Sequence, residues 1–182
     1  MSDKKDITLL KVQRELKPKI EDIIPEYLSN EMKEIALKFA SYMQENKMPF
    51  RWAGVHNAWR ALYKGKAICY VRFPRGENDS EHGSWKWVIN PHLYNLDSYS
   101  DTITLENLQD FVWDNIFHCM FCRTPCYGSA PGQDMVFLDK VVKSVCHGRE
   151  PVWVYDPSES DIEILKRLVQ LEQQARINLH TK

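Results

Sequence analysis

Runs of aromatic and β-branched residues constrain the fold of this chain more than any other feature. These runs cover residues 50–55, 59–63, 67–73 and 85–89. Such side chains are typical of strands, and Lys64-Gly65-Lys66 provides a short glycine-containing connection between the second and third runs. Asn90-Pro91 follows the fourth run, where we expect the strand to end. The sequence therefore predicts a hairpin within an antiparallel meander of three or four strands.

Amphipathic helices are predicted on both sides of this sheet. Apolar residues recur on one helical face between Asn30 and Asn46, and again over residues 105–120 after Thr104. Ser158 and Asp161 resemble a capping box at the start of a final helix. Its buried face should comprise Ile162, Leu165, Leu168, Val169 and Ala175. Short strands are expected between the second and third of these helices, at residues 135–138, 141–145 and 152–155.

The chain of 182 residues is of a length that commonly forms one domain. We therefore predict an α+β fold in which an antiparallel, aromatic-rich sheet packs against two or three amphipathic helices. Residues 29–182 would form this single domain, including a cysteine cluster at 119–146. Residues 1–28 would be an N-terminal helical extension, with a helix at 1–19 and a shorter one at 20–28 that is broken near Pro25.

Composition and charge narrow the classes of partner. The 24 Lys and Arg are balanced by 25 Asp and Glu, so a net charge of −1 provides no general attraction for nucleic acid. No stretch approaches the about 20 apolar residues of a membrane span, and the amino terminus lacks the apolar segment of a signal peptide. We therefore expect a cytoplasmic protein, in which cysteines stay reduced and are available to metals.

Four cysteines form the most informative cluster for function. Cys119, Cys122 and Cys126 follow a C-x2-C-x3-C pattern, and Cys146 lies beyond a turn at 130–132. Four thiolates in tetrahedral geometry suit a structural zinc ion, which has no open position for catalysis. His118 and His147 flank the cluster, so a set of three cysteines and one histidine is an alternative. An iron-sulfur cluster or a reversible disulfide would use the same thiols.

Several segments carry a resemblance to known proteins. They are residues 59–71, the cysteine pattern at 119–126, Pro131-Gly132, Val145-Cys146-His147 and residues 157–168. In these segments the chain resembles an uncharacterised bacterial family of small α+β proteins with a C-terminal C-x2-C-x3-C, Pro-Gly and Cys cluster. The resemblance implies that these cysteines belong to one group, and it implies no reaction.

The aromatic strands suggest a second kind of site. Trp52, Trp59, Trp85 and Trp87 all fall in the predicted sheet and could line a cavity for a small molecule, although large aromatic residues more often form core. No G-x-S-x-G, G-x-G-x-x-G, Walker A or H-E-x-x-H pattern occurs. The sequence therefore gives no reaction, and we expect a non-catalytic binding module for a small molecule or protein. The alternative is a thiol-dependent redox, sensor or iron-sulfur protein.

Overall fold

A computed structural model describes residues 2–75, 84–118, 132–146 and 151–179, with side chains from residue 9 onward. Its main sheet has five antiparallel strands in the order β1-β2-β3-β4-β7. These strands are β1 (Phe50–Trp52), β2 (Ala58–Tyr63), β3 (Lys66–Arg72), β4 (Val88–Pro91) and β7 (Val154–Tyr155). The α+β class predicted from the sequence is therefore confirmed.

The β2–β3 hairpin forms where the sequence predicts it. Lys64 and Gly65 both have positive φ angles, 47° and 80°, as a two-residue turn of the mirror-image type requires. Glycine adopts this backbone without strain. The turn pairs Tyr63 with Lys66, and a register shift between Ala61 and Leu62 follows along the strands. Trp59 then lies opposite Val71, and Ala61 lies opposite Cys69. All four of these side chains are buried in the main core.

Three helices contribute most of the helical residues that are buried in that core. They are α2 (Ile20–Tyr27), α3 (Asn30–Glu45) and α6 (Glu159–Leu179). The apolar face predicted for α3 is confirmed, because Ile35, Phe39 and Met43 are all buried. The capping box of α6 is also confirmed: the Asp161 N–H donates to Ser158 Oγ, and the Ser158 N–H donates back to Asp161 Oδ2.

Three elements differ from the prediction. Helix α2 continues through Pro25, where a break was expected. Instead of one helix over 105–120, the chain forms α4 (Ser100–Leu105) and α5 (Gln109–Asp114). Asn107 separates them with a φ of 56°, a left-handed backbone that ends a right-handed helix. Strand β4 also begins at Val88 and includes Pro91, so Trp85 and Trp87 precede the strand that was expected to contain them.

The sheet separates two apolar clusters. Ile89 pairs with Val71 and Val154 and belongs to the main core, whereas its neighbour Val88 points to the opposite face, because side chains alternate along a strand. Val88 packs there with Phe117, Cys146 and Trp153. A second sheet, β5 (Gln133–Phe137) with β6 (Lys140–Val145), precedes Cys146 and confirms the predicted strands at 135–138 and 141–145.

The N-terminal helices contact the rest of the fold through both polar and apolar groups. Helix α1 (Ser2–Leu16) places Gln13 against Asn57, and the Trp59 ring N–H donates to the Pro18 carbonyl at 2.9 Å. Ile20 and Ile24 of α2 lie in the same core as the sheet. The domain boundary at residue 28 stays a prediction. Within the described part of the chain, no helix is both long and apolar enough to cross a membrane.

Candidate functional site

The predicted metal ligands fall in two parts of the chain. Cys119, Cys122 and Cys126 lie outside the residues that the structure describes. Cys146 is described, carries a free thiol and is only 3% exposed. Among the described residues, no group of three or more His, Cys, Asp or Glu side chains could hold a metal ion. The structure therefore describes the two ends of the cysteine segment, at His118 and at Cys146.

Backbone pairing brings those two ends together. His118 forms an antiparallel bridge with Val145, and the Cys146 N–H donates to the Phe117 carbonyl at 3.0 Å. His118 immediately precedes Cys119 in the sequence, so the chain enters and leaves the cysteine segment at neighbouring points. The contact consists of hydrogen bonds between backbone groups.

The thiol of Cys146 lies among aromatic side chains. Phe117, whose carbonyl accepts the hydrogen bond from Cys146, packs against the Trp153 ring with centroids 5.1 Å apart. Trp153 also contacts Tyr155, which in turn meets Trp85 edge-on at 5.9 Å. Phe117, Trp153 and Cys146 are all buried in this second cluster. These surroundings shield the Cys146 thiol from water.

His118 lies on the other side of the same backbone pairing and is exposed. Its Nδ1 is 2.8 Å from the Lys143 carbonyl oxygen. Because a carbonyl oxygen only accepts, Nδ1 must carry the hydrogen in this contact, and in a neutral ring Nε2 then has the lone pair. A hydrogen bond from one ring nitrogen to a carbonyl is the arrangement usually found in metal-bound histidines.

The four tryptophans predicted to contact a ligand occupy different environments. Trp59 and Trp87 are buried in the main core, Trp85 packs beside the second cluster, and Trp52 is half-buried opposite Trp59 in the β1–β2 register. Within the described part of the chain, the ring N–H groups of Trp52 and Trp87 have no hydrogen-bond acceptor. Ligand binding by these four rings stays a prediction.

Cys69 is a core residue, as its place in the strand suggests. It is fully buried, and burial raises the pKa of its thiol far above the usual range. The thiol therefore stays protonated at neutral pH and is a poor nucleophile or metal ligand.

A buried polar cluster was not anticipated from the sequence. The Glu172 carboxylate has no exposed surface, and it accepts hydrogen bonds from Tyr99 Oη at 2.8 Å, Asn95 Nδ2 at 2.8 Å and Arg176 Nε at 2.8 Å. Arg176 also donates to the Ala67 carbonyl at 2.9 Å. Burial and the neighbouring carboxylate raise the pKa of the Tyr99 hydroxyl. The cluster joins α6 to β3 and to the loop after β4.

His92 borders this cluster. Its ring stacks on Tyr70 with centroids 4.9 Å apart, and its Nδ1 is 2.9 Å from the Tyr94 hydroxyl. Burial, together with the nearby cations Arg176 and Arg72, lowers the pKa of His92 to about 4. The ring is therefore neutral at physiological pH.

Comparison with protein-family models, with curated proteins and with solved structures finds no match to this chain.

Proposed function

We propose that this protein is a non-catalytic binding module of the cytoplasm, in which Cys119, Cys122, Cys126 and Cys146 hold one structural zinc ion. The observation that supports it is the pairing of Phe117 and His118 with Cys146 and Val145. Because this pairing holds the two ends of the cysteine segment together, the entropy cost of gathering ligands from both ends is reduced. The bound zinc would then stabilise the segment against the second apolar cluster.

Cys146 is the proposed fourth ligand because it is buried beside Phe117 and Trp153. A zinc ion with four protein ligands needs no water in its coordination sphere, so a buried thiol can serve as one of them. His118 is its competitor for that position, because its Nδ1 is already bonded and its Nε2 faces away from the carbonyl. The two residues lie on opposite faces of one backbone pairing, so they are alternatives rather than joint ligands.

The bound partner of the module would be a small molecule or another protein. Trp52 and Trp85 are half-buried, whereas Trp59 and Trp87 are buried, so the first two rings offer more surface to a ligand. A flat aromatic ring contributes a large apolar contact area at little entropic cost.

Elemental analysis of the untagged protein tests the metal site. We expect one zinc per chain and a colourless preparation, and Cys122→Ser should lose the metal. Cys69→Ala is the matched control, because Cys69 is a buried cysteine of the main core, and it should keep one zinc. Protein without stoichiometric metal after anaerobic purification would contradict the proposal. A brown protein that contains iron and sulfide would indicate an iron-sulfur cluster instead of zinc.

Two further variants identify the fourth ligand. Cys146→Ser should weaken zinc binding more than His118→Ala if the four-cysteine set is right. The reverse order would assign the position to His118. Equal, unchanged affinity in both variants would show that neither residue binds the ion.

A further inference from the structure

The strands of the five-stranded sheet are basic, although the whole chain has a net charge of −1. They contain Arg51, Arg60, Lys66 and Arg72 and no aspartate or glutamate. The whole chain, in contrast, has slightly more acidic than basic residues. Charge is therefore separated within the molecule, and the sheet can attract an anion although the protein as a whole does not.

Two of these arginines lie directly opposite each other. Arg51 of β1 and Arg60 of β2 are partners in the antiparallel register, so both side chains leave the same face of the sheet, and both are exposed. Neither forms an ion pair with another described residue. Like charges in this position repel each other and destabilise the strand pair. An anion bound between the two guanidinium groups would replace that repulsion by attraction.

The same face continues into a row of aromatic rings. Arg60 is the register partner of Tyr70 on β3, and the Tyr70 ring stacks on His92. His92 meets Tyr94 edge-on, with centroids 5.2 Å apart. The row therefore begins with two exposed cations and ends with Tyr94, which is 62% exposed.

Tyr94 is held in place although it is exposed. Its hydroxyl is 2.9 Å from His92 Nδ1, and the Arg176 guanidinium lies 5.7 Å from its ring centroid. A ring that is already fixed loses little conformational freedom when a partner packs on it. Stacking on the Tyr94 ring therefore costs less conformational entropy than stacking on a freely rotating surface tyrosine.

We propose that this face of the sheet binds single-stranded nucleic acid, with phosphates at Arg51 and Arg60 and a base stacked on Tyr94. The planar fork of arginine matches two oxygens of a phosphate, and exposed aromatic rings stack bases without regard to sequence. A single small anion would use only the arginines. A strand that carries both phosphates and bases would use the arginines and the ring together. The proposal uses no residue of the cysteine segment, although both sites lie on one face of the sheet. Tyr70 pairs with Asn90, two residues from Val88, and the Arg72 guanidinium lies over both the Tyr70 and the Trp153 rings.

Fluorescence anisotropy with a labelled 12-nucleotide oligo(dT) and the full-length protein tests this assignment. At low salt we expect binding that weakens as salt rises. The double variant Arg51→Gln/Arg60→Gln should bind at least about tenfold less tightly, and its log–log salt slope should be smaller by about 1.4, the value for two phosphate contacts on a single strand. Arg14→Gln is the matched control, because Arg14 is an exposed arginine on α1, and it should bind like the parent.

Tyr94→Leu separates stacking from charge. It should weaken binding by about tenfold and leave the salt slope unchanged, since base stacking involves no counterion release. Circular dichroism of each variant confirms that it is folded. Three results would overturn the proposal: no binding of the parent at low salt, equal binding by the double arginine variant, or equally tight binding of polyglutamate with the same charge. Tighter binding of a duplex of the same length would overturn the single-stranded assignment.

Discussion

Gln13 and Asn57 are joined by two hydrogen bonds across 44 residues of sequence. Gln13 Nε2 donates to Asn57 Oδ1 at 2.7 Å, and the Asn57 N–H donates to Gln13 Oε1 at 2.9 Å. Asn57 also donates from Nδ2 to the Tyr27 hydroxyl and to the Pro74 carbonyl. One buried asparagine therefore connects α1, α2 and the end of β3.

Replacement of Gln13 should show how much this connection stabilises the fold. Gln13→Ala leaves the buried N–H and Oδ1 of Asn57 without their partners, so the free energy of unfolding should fall by about 1–3 kcal/mol. Urea unfolding measures the change. Arg14→Ala on the same helix is the control, since that side chain is exposed and should have little effect. Equal loss in both variants would mean that the Gln13–Asn57 contact contributes nothing specific.

The ion pair between Arg176 and Glu172 should contribute far more stability than the pair between Arg167, on the same helix, and Glu106 after α4. Arg176→Met leaves the Glu172 carboxylate buried without its cation, which we expect to cost about 3–5 kcal/mol of unfolding free energy. Arg167→Met removes a pair whose side chains are partly exposed, so stability should change little. Chemical denaturation of both variants measures the two losses of unfolding free energy. Similar losses would contradict the prediction.

His92 should make the protein less stable in mild acid. Its pKa of about 4 in the folded state lies below the ordinary value of about 6.5, so between these pH values the unfolded chain binds more protons. Stability therefore rises with pH across this range, and His92 contributes up to about 3 kcal/mol to the change.

The dependence is measured by urea unfolding of the parent and of His92→Gln at pH 5 and pH 7. The variant should lose much of the difference between the two pH values. An NMR titration of the His92 ring with a midpoint near 6.5 would show that the buried imidazole is not the cause.

Metal removal should destabilise the parent but not a cysteine variant that has already lost the metal. With zinc bound, Cys122→Ser should lower the free energy of unfolding by several kcal/mol, because metal binding is coupled to folding. Chelator should lower the melting temperature of the parent and of Cys69→Ala, and leave Cys122→Ser unchanged. Identical melting of parent and Cys122→Ser, with and without chelator, would contradict a structural metal.

The regular elements of this fold could be predicted because each depends on a local pattern. The apolar face of α3, the turn at Lys64 and Gly65 and the Ser158–Asp161 cap each depend on neighbours no more than four positions apart. The break between α4 and α5 was missed, since hydrophobic periodicity carries no information about the left-handed backbone of Asn107. Leu105, counted as part of a buried face, is 82% exposed for the same reason.

The polar contacts of the interior could not be predicted. Glu172 and Arg176 are four residues apart on a helix, a spacing that is typical of a solvated surface pair. Only the fold places Asn95 and Tyr99, more than seventy residues earlier, against the same carboxylate. The row from Arg51 to Tyr94 likewise depends on strand register and on the loop after β4, neither of which follows from local sequence.

The Phe117–Cys146 pairing also affects which changes in chain length the fold can tolerate. Because the chain departs from and rejoins the fold at adjacent positions, the residues between them form an excursion whose length does not set the register of the five-stranded sheet. Insertions and deletions in that segment, outside β5 and β6, should be tolerated, whereas a one-residue change between β2 and β3 would move side chains to the wrong face of the sheet. A graft that joins residues 118 and 145 must therefore keep β5 and β6, because Phe137 and Val142 of these strands are buried in the main core.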